Sequence, residues 1–136
     1  MSKPVTFGER LREIRKSRNL TQRDLAEKVA ARLKADDRRG FDFTYLSKIE
    51  NEKTPPPSVA AILQLAHVLE TDADELIALA GKVPPEFGET LKGSEAARTF
   101  YRSALNAALT EEDWKSLLHE LIQRTKVRGD HKKPGN

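Results

Sequence analysis

Apolar residues recur at spacings of three and four along almost the whole chain, and no run alternates with period two. That pattern commits the chain to amphipathic helices and excludes a sheet as its organising layer. Phe7, Leu11 and Ile14 mark a short helix over residues 6–17, with Arg and Glu filling the gaps. Thr21 has Asp24 three positions on, a capping-box start for a second helix that buries Leu25, Ala26 and Val29 and reaches towards Leu33. Residues 34–41 are charged and end near Gly40, so they read as a loop. Asp42 is the N-cap of a third short helix, Phe43–Asn51, with Leu46 and Ile49 facing inward. Pro55-Pro56-Pro57 then holds the chain extended. Ser58 caps a fourth helix whose stripe is Val59, Ile62, Leu63, Ala66 and Leu69, and Asp72 with Glu75 opens a fifth that ends at Gly81.

A length of 136 residues suits one modest core and an appendage. There is no cysteine, which excludes disulfides and thiolate metal sites. No apolar stretch approaches the ~20 residues that span a bilayer, and the N-terminal residues have no signal-peptide core. A soluble, cytoplasmic protein is expected. The net charge of +3 is small but segregated. Residues 1–53 carry 14 basic and 9 acidic side chains, whereas residues 54–80 carry four acids and no Lys or Arg. Positive charge on one part of a small chain steers polyanions, although a merely solvated basic face has the same composition. His67, His119 and His131 lie on separate segments, and there is no phosphate-cradling glycine loop. The acidic pairs Asp36-Asp37 and Glu112-Asp113 belong to a loop and a helix start. No enzyme activity, metal or cofactor is expected.

Two short helices joined by a turn, the second with polar residues on its outer side, match the architecture that places a recognition helix in the DNA major groove. Only side chains near the start of such a helix reach base edges. The motifs Leu11-x-x-Ile14-Arg15, Leu20-Thr21-Gln22-x-x-Leu25-Ala26-x-x-Val29, Tyr45-Leu46-Ser47-Lys48-Ile49-Glu50, Pro57-Ser58 and Leu65-Ala66-x-x-Leu69 occur in this order. Over roughly residues 7–80 the chain resembles the Xre/Cro/phage-repressor helix-turn-helix family. Asp74-Glu75-Leu76 and the run Leu79–Pro85 resemble its bacterial subgroup with a short helical C-terminal extension.

The resemblance implies that Gln22, opening the second helix, binds a phosphate, and that Phe43, Thr44, Ser47 and Lys48 face base edges. It implies further phosphate contacts at Asn51, Lys53 and Thr54, and an internal salt bridge between Arg15 and Glu50. By its own chemistry Phe43 equally suits the core, and Tyr45 suits a half-packed position. Two departures stand out. Fifteen residues separate Val29 from Tyr45, where the family uses a tight turn, and Glu52 stands where it commonly has glycine. Within that insertion Arg38 and Arg39 are candidates for a flanking phosphate, although a solvated loop explains them as well.

Residues 82–93, with two prolines and two glycines, read as a linker. Ser94 opens a helix to about Leu109. Thr110 opens another, in which Trp114, Leu117, Leu118, Leu121 and Ile122 fall at i, i+3, i+4, i+7 and i+8. A stripe that wide needs a partner, since leaving it in water costs several kcal/mol at ~25 cal/mol per Å². The expected architecture is all-α, a five-helix lambda-repressor-like helix-turn-helix domain over residues 1–81 followed by a two-helix extension. The linker takes residues 82–93, the extension residues 94–126 with dimerisation as its role, and a basic disordered tail residues 127–136. The expected function is a dimeric, sequence-specific repressor reading a palindromic operator in double-stranded DNA. The alternative is an antitoxin-like or adaptor module whose C-terminal helices bind a partner protein.

Overall fold

The computed structural model describes residues 4–129 and, at Arg38, the backbone alone. Every element among the described residues is helical, and contacts divide them into two compact units between Pro84 and Pro85.

The first unit starts with α1 (Phe7–Ser17), capped by Thr6, whose hydroxyl accepts the Glu9 N–H. In α2 (Gln22–Ala30), Thr21 and Asp24 form a reciprocal capping box. The insertion holds a single helical turn, α3 (Ala35–Arg38), where a loop was expected. Asp42 caps α4 (Phe43–Glu50) by accepting the Tyr45 N–H at 2.9 Å. Ser58 caps α5 (Val59–Leu69). Asp72 caps α6 (Ala73–Leu79) through the Asp74 N–H, so Glu75 is not its capping-box partner. Gly81, at φ +74°, takes the left-handed turn after α6.

Leu11, Leu25, Leu46, Ile62, Leu65, Leu69, Leu76 and Ile77 are fully buried and join these helices into one core. α4 packs on α1 and α2, while α5 packs on α2 and α6. The inward stripe of α5 includes Ala61 and Leu65, and Leu63, expected inside, is exposed. One aromatic departs from its expected place. Phe41, read as loop, is buried edge-on against Tyr45 with ring centroids 5.5 Å apart, whereas Phe43 is 40% exposed. Phe41 and Leu33 anchor the two ends of the insertion in the core, so its length is absorbed without displacing α4 from α2.

The second unit contains α7 (Pro85–Gly93), α8 (Glu95–Asn106) and α9 (Glu111–Arg128). The expected linker is thus helical from Pro85 onward, and the extension has three helices among the described residues. Proline at the first helical position costs nothing, because its missing N–H has no intrahelical acceptor there. Arg98 closes the α7–α8 corner by donating to the Leu91 and Lys92 carbonyls at 2.6 and 3.0 Å. Ala108, at φ +49°, breaks the chain between α8 and the Thr110–Asp113 capping box that starts α9. No residue of α7, α8 or α9 is buried. Val127 and Arg128, placed in the disordered tail by the sequence, belong to α9, and residues 130–136 of that tail lie outside the described residues.

Candidate nucleic-acid interface

The start of α2 and the length of α4 are held together from below by one carboxylate. Glu50, 2% exposed, accepts from Arg15 Nε at 2.7 Å and Arg15 Nη2 at 2.9 Å. It also accepts from Gln22 Nε2 at 2.9 Å and Arg12 Nε at 3.4 Å. Arg15 spends its remaining fork on the Leu20 carbonyl at 2.9 Å. Burial alone would push the Glu50 carboxyl up. The hydrogen bonds from Arg15 and Gln22, the Arg15 charge and the Arg12 bond outweigh it, and its pKa lies below the usual carboxylate range. Arg15 and Glu50 therefore act structurally, joining α1, α2 and α4.

Gln22 sits at the first position of α2, where backbone N–H groups have no intrahelical acceptor. Its side-chain NH2 donates to Glu50 through one of its two hydrogens, so the second hydrogen and the N–H groups of the helix start are the donors at this end of α2. Along α4, Leu46, Ile49 and Glu50 turn inward. Phe43, Thr44 and Lys48 are exposed and Ser47 is half-buried, so the four candidate base-reading residues share the open side of the helix. Burial beside Phe41 pushes the Tyr45 phenol above its ordinary range.

After α4 the chain makes a Schellman turn, with Lys53 N–H on the Lys48 carbonyl and Glu52 N–H on the Ile49 carbonyl. Glu52 takes the left-handed conformation at φ +60°, a backbone region that glycine adopts without strain. Its carboxylate accepts the Gly8 N–H at 3.0 Å and caps α1. A Cβ on Gly8 would come 2.8 Å from the Glu50 carbonyl oxygen and closer still to the Ile49 carbonyl and Glu52. Asn51 donates to the Ser47 carbonyl at 2.8 Å and accepts from Arg12 Nη2, so both ends of its amide are used internally. Lys53 is exposed and Thr54 half-buried. Arg39 is exposed on the insertion, while the Arg38 side chain lies outside the described residues.

Four participants were not singled out by sequence reasoning. Arg12 is one, and its i, i+3 spacing from Arg15 was the available signal. Gly8 and the carboxylate of Glu52 are two more, and both depend on a contact 44 positions long. The fourth is Arg23, whose guanidinium stacks 4.1 Å over the Phe43 ring. That pair sets a cation and an apolar face side by side at the start of α4.

The helix-turn-helix domain family matches residues 8–82, more than half of the chain. The chain belongs to the helix-turn-helix family. This family is one of DNA-binding transcription regulators, of the Xre-like kind that the motifs resemble. The chain is similar to the uncharacterized HTH-type transcriptional regulator RghRB of Bacillus subtilis (strain 168), with 34% identity over 102 residues. That match covers 73% of this chain and 66% of the relative, so it spans just under two thirds of the relative's length. Among solved structures, a chain of a SinR protein/SinI protein complex aligns at 22% identity and a TM-score of 0.45, over 89% of this chain and 99% of that one. Within the helix-turn-helix architecture α2 and α4 are the two helices of the motif, and the insertion with α3 lies between them. No described helix is long and apolar enough to cross a membrane.

Proposed function

We propose that this helix-turn-helix protein is a dimeric, sequence-specific repressor that reads a palindromic operator through the major groove. The observation that carries the proposal is the two-sidedness of α4. Leu46, Ile49 and Glu50 lock it to α1 and α2, while Phe43, Thr44, Ser47 and Lys48 remain on its open side. In this reading those four side chains take base edges, with Arg23 extending the patch. Gln22, Arg39, Lys53 and Thr54 take phosphates, and Asn51 contributes through its neighbours Ser47 and Arg12. Arg38 is assigned the same role by its place in the insertion. Dimerisation rests on Trp114, Leu117, Leu118, Leu121 and Ile122. The resulting two-fold symmetry imposes half-sites about one helical turn apart, and occupancy of the operator blocks transcription.

The test is selection of bound duplexes from a random pool at two salt concentrations. A palindromic consensus is expected, with affinity falling steeply as salt rises. Lys48→Ala should cost about 1–3 kcal/mol and relax one position, while Gln22→Ala should weaken all sequences alike. A pool without enrichment at either salt concentration would overturn the proposal. A second reading, an antitoxin-like or adaptor protein, is favoured by one observation, the absence of any buried residue in α7–α9. It predicts that the full chain stays monomeric and shows no duplex preference.

A further inference from the structure

One side of α9, exposed except at the half-buried Thr125, carries a pattern of its own. Glu111, Trp114, Leu118, Leu121, Thr125 and Arg128 recur at alternating spacings of three and four, the a and d positions of a heptad seam. Trp114, Leu118 and Leu121 are 46, 55 and 56% exposed. With Leu117 and, from α8, Phe100 they line an open, largely apolar groove along the helix, edged by the Glu120–Arg124 ion pair. The seam is also electrically polar. Glu111, Glu112 and Asp113 fill the first turn of α9, and Lys126 and Arg128 the last.

Side by side and parallel, two such seams would set Glu111 on Glu111, Trp114 on Trp114 and Arg128 on Arg128. Like charges would meet at both ends and the bulkiest residues would collide in one layer. Antiparallel, the same positions set Glu111 against Arg128, Trp114 against Thr125 and Leu118 against Leu121. Opposite charges meet, the largest side chain faces the smallest of the seam, and leucine faces leucine. A two-fold axis makes each of these contacts twice. Sliding by one heptad sets the Glu111 carboxylate against Leu121 and Trp114 against Leu118 in place of Thr125, so one register is favoured. The sequence of α9 is thus complementary to its own reverse, a property that a foreign partner does not require.

We infer that the α9 groove seats a second copy of this chain as an antiparallel two-fold pair, with Glu111 of each copy at the level of Arg128 of the other. The inference rests on the dimeric reading above and gives it a surface, an orientation and a register.

The experiment is sedimentation equilibrium of the full chain at low salt for the wild type, Glu111→Lys, Arg128→Glu and the double variant, with helicity followed by circular dichroism. The wild type is expected to be dimeric. Each single reversal should weaken self-association about tenfold or more, because it places like charges together twice. The double variant should regain most of the loss, since it restores opposite charges only across an antiparallel pair. A second measurement uses the absence of cysteine in the chain. Glu111→Cys and Arg128→Cys, mixed and oxidised, should cross-link to each other, while neither should cross-link alone. Two copies of residue 111 would lie about 25 Å apart along antiparallel helices, far beyond the ~7 Å that a disulfide spans. A wild type that stays monomeric would overturn the dimeric reading together with this one. A wild-type dimer indifferent to the single reversals, or not rescued by the double, or cross-linked by Glu111→Cys alone, would overturn the antiparallel seam and leave dimerisation standing.

Discussion

Gln22 and Glu50 lie 28 positions apart and are joined by a 2.9 Å hydrogen bond from the Gln22 amide to the Glu50 carboxylate. The same carboxylate holds Arg15 and Arg12, so the residue that opens the first helix of the motif and the one that ends the second share a single buried anchor. The spacing between α2 and α4 is set there and by the leucines around it. A docked recognition helix keeps its angle only if that anchor is rigid.

Removing the carboxylate strands a buried guanidinium. Glu50→Ala is expected to cost about 3–5 kcal/mol, because Arg15 keeps only the Leu20 carbonyl as a partner. Urea unfolding followed by circular dichroism measures it. A loss under about 1 kcal/mol would mean that the pair contributes little beyond its own desolvation.

The pH dependence follows from the same group. The folded Glu50 pKa lies below its unfolded value, so ionised Glu50 contributes stability above about pH 4.3, and that contribution is lost as pH falls from there through the folded pKa. Glu50→Gln should lower stability at neutral pH and lose less of it on acidification, so that the two proteins converge at low pH. A gap between them that stays constant down to about pH 2 would remove Glu50 from the acid limb.

Glu52 combines a cost and a gain. Its left-handed backbone costs about 1–2 kcal/mol relative to glycine, and its bond to the Gly8 N–H returns about 0.5–1.5 kcal/mol. Glu52→Gly should therefore be close to neutral, whereas Glu52→Ala, which keeps the strain and loses the cap, should be clearly less stable. Gly8→Ala should be worse than either, since its Cβ has two carbonyl oxygens in its way. Thermal midpoints of the three variants give the order directly.

Arg23 and Phe43 make an exposed cation–π pair, for which about 0.5–1 kcal/mol is expected. A double-mutant cycle tests it. Arg23→Ala should destabilise the wild type by that amount and the Phe43→Ala protein by nearly nothing. Equal effects in both backgrounds would reduce the stack to coincidence.

Much of the first unit was legible because local chemistry and fold agree. Thr21, Asp42 and Ser58 each cap the helix that follows them, and Gly81 ends α6, since each choice depends on neighbours within three or four positions. The insertion was read less well. Phe41 sits in a run of charged residues and gives no periodic signal, yet Tyr45 and the core behind it bury the ring. Leu63 and Leu65 are equally apolar, but the helical period sets Leu65 with Ile62, Ala66 and Leu69 on the face that packs on α2 and α6, and sets Leu63 off it. In residues 82–93, two prolines and two glycines argued for a linker, but Pro85 falls at a helix start where proline is tolerated.

By itself the sequence determined the all-helical class, the caps, the α2–α4 motif with its inward leucines, and the apolar stripe of α9. These depend on periodicity and on short-range hydrogen bonds that any copy of the segment would make. Tertiary structure alone decided which aromatic of the Phe41–Phe43 pair is buried, that Gly8 must lack a side chain, and that Gln22 and Arg12 join Arg15 on the Glu50 carboxylate. Those outcomes depend on groups up to 44 positions apart meeting at hydrogen-bond distance, and that geometry exists only once the core has closed around Leu11, Leu25 and Leu46.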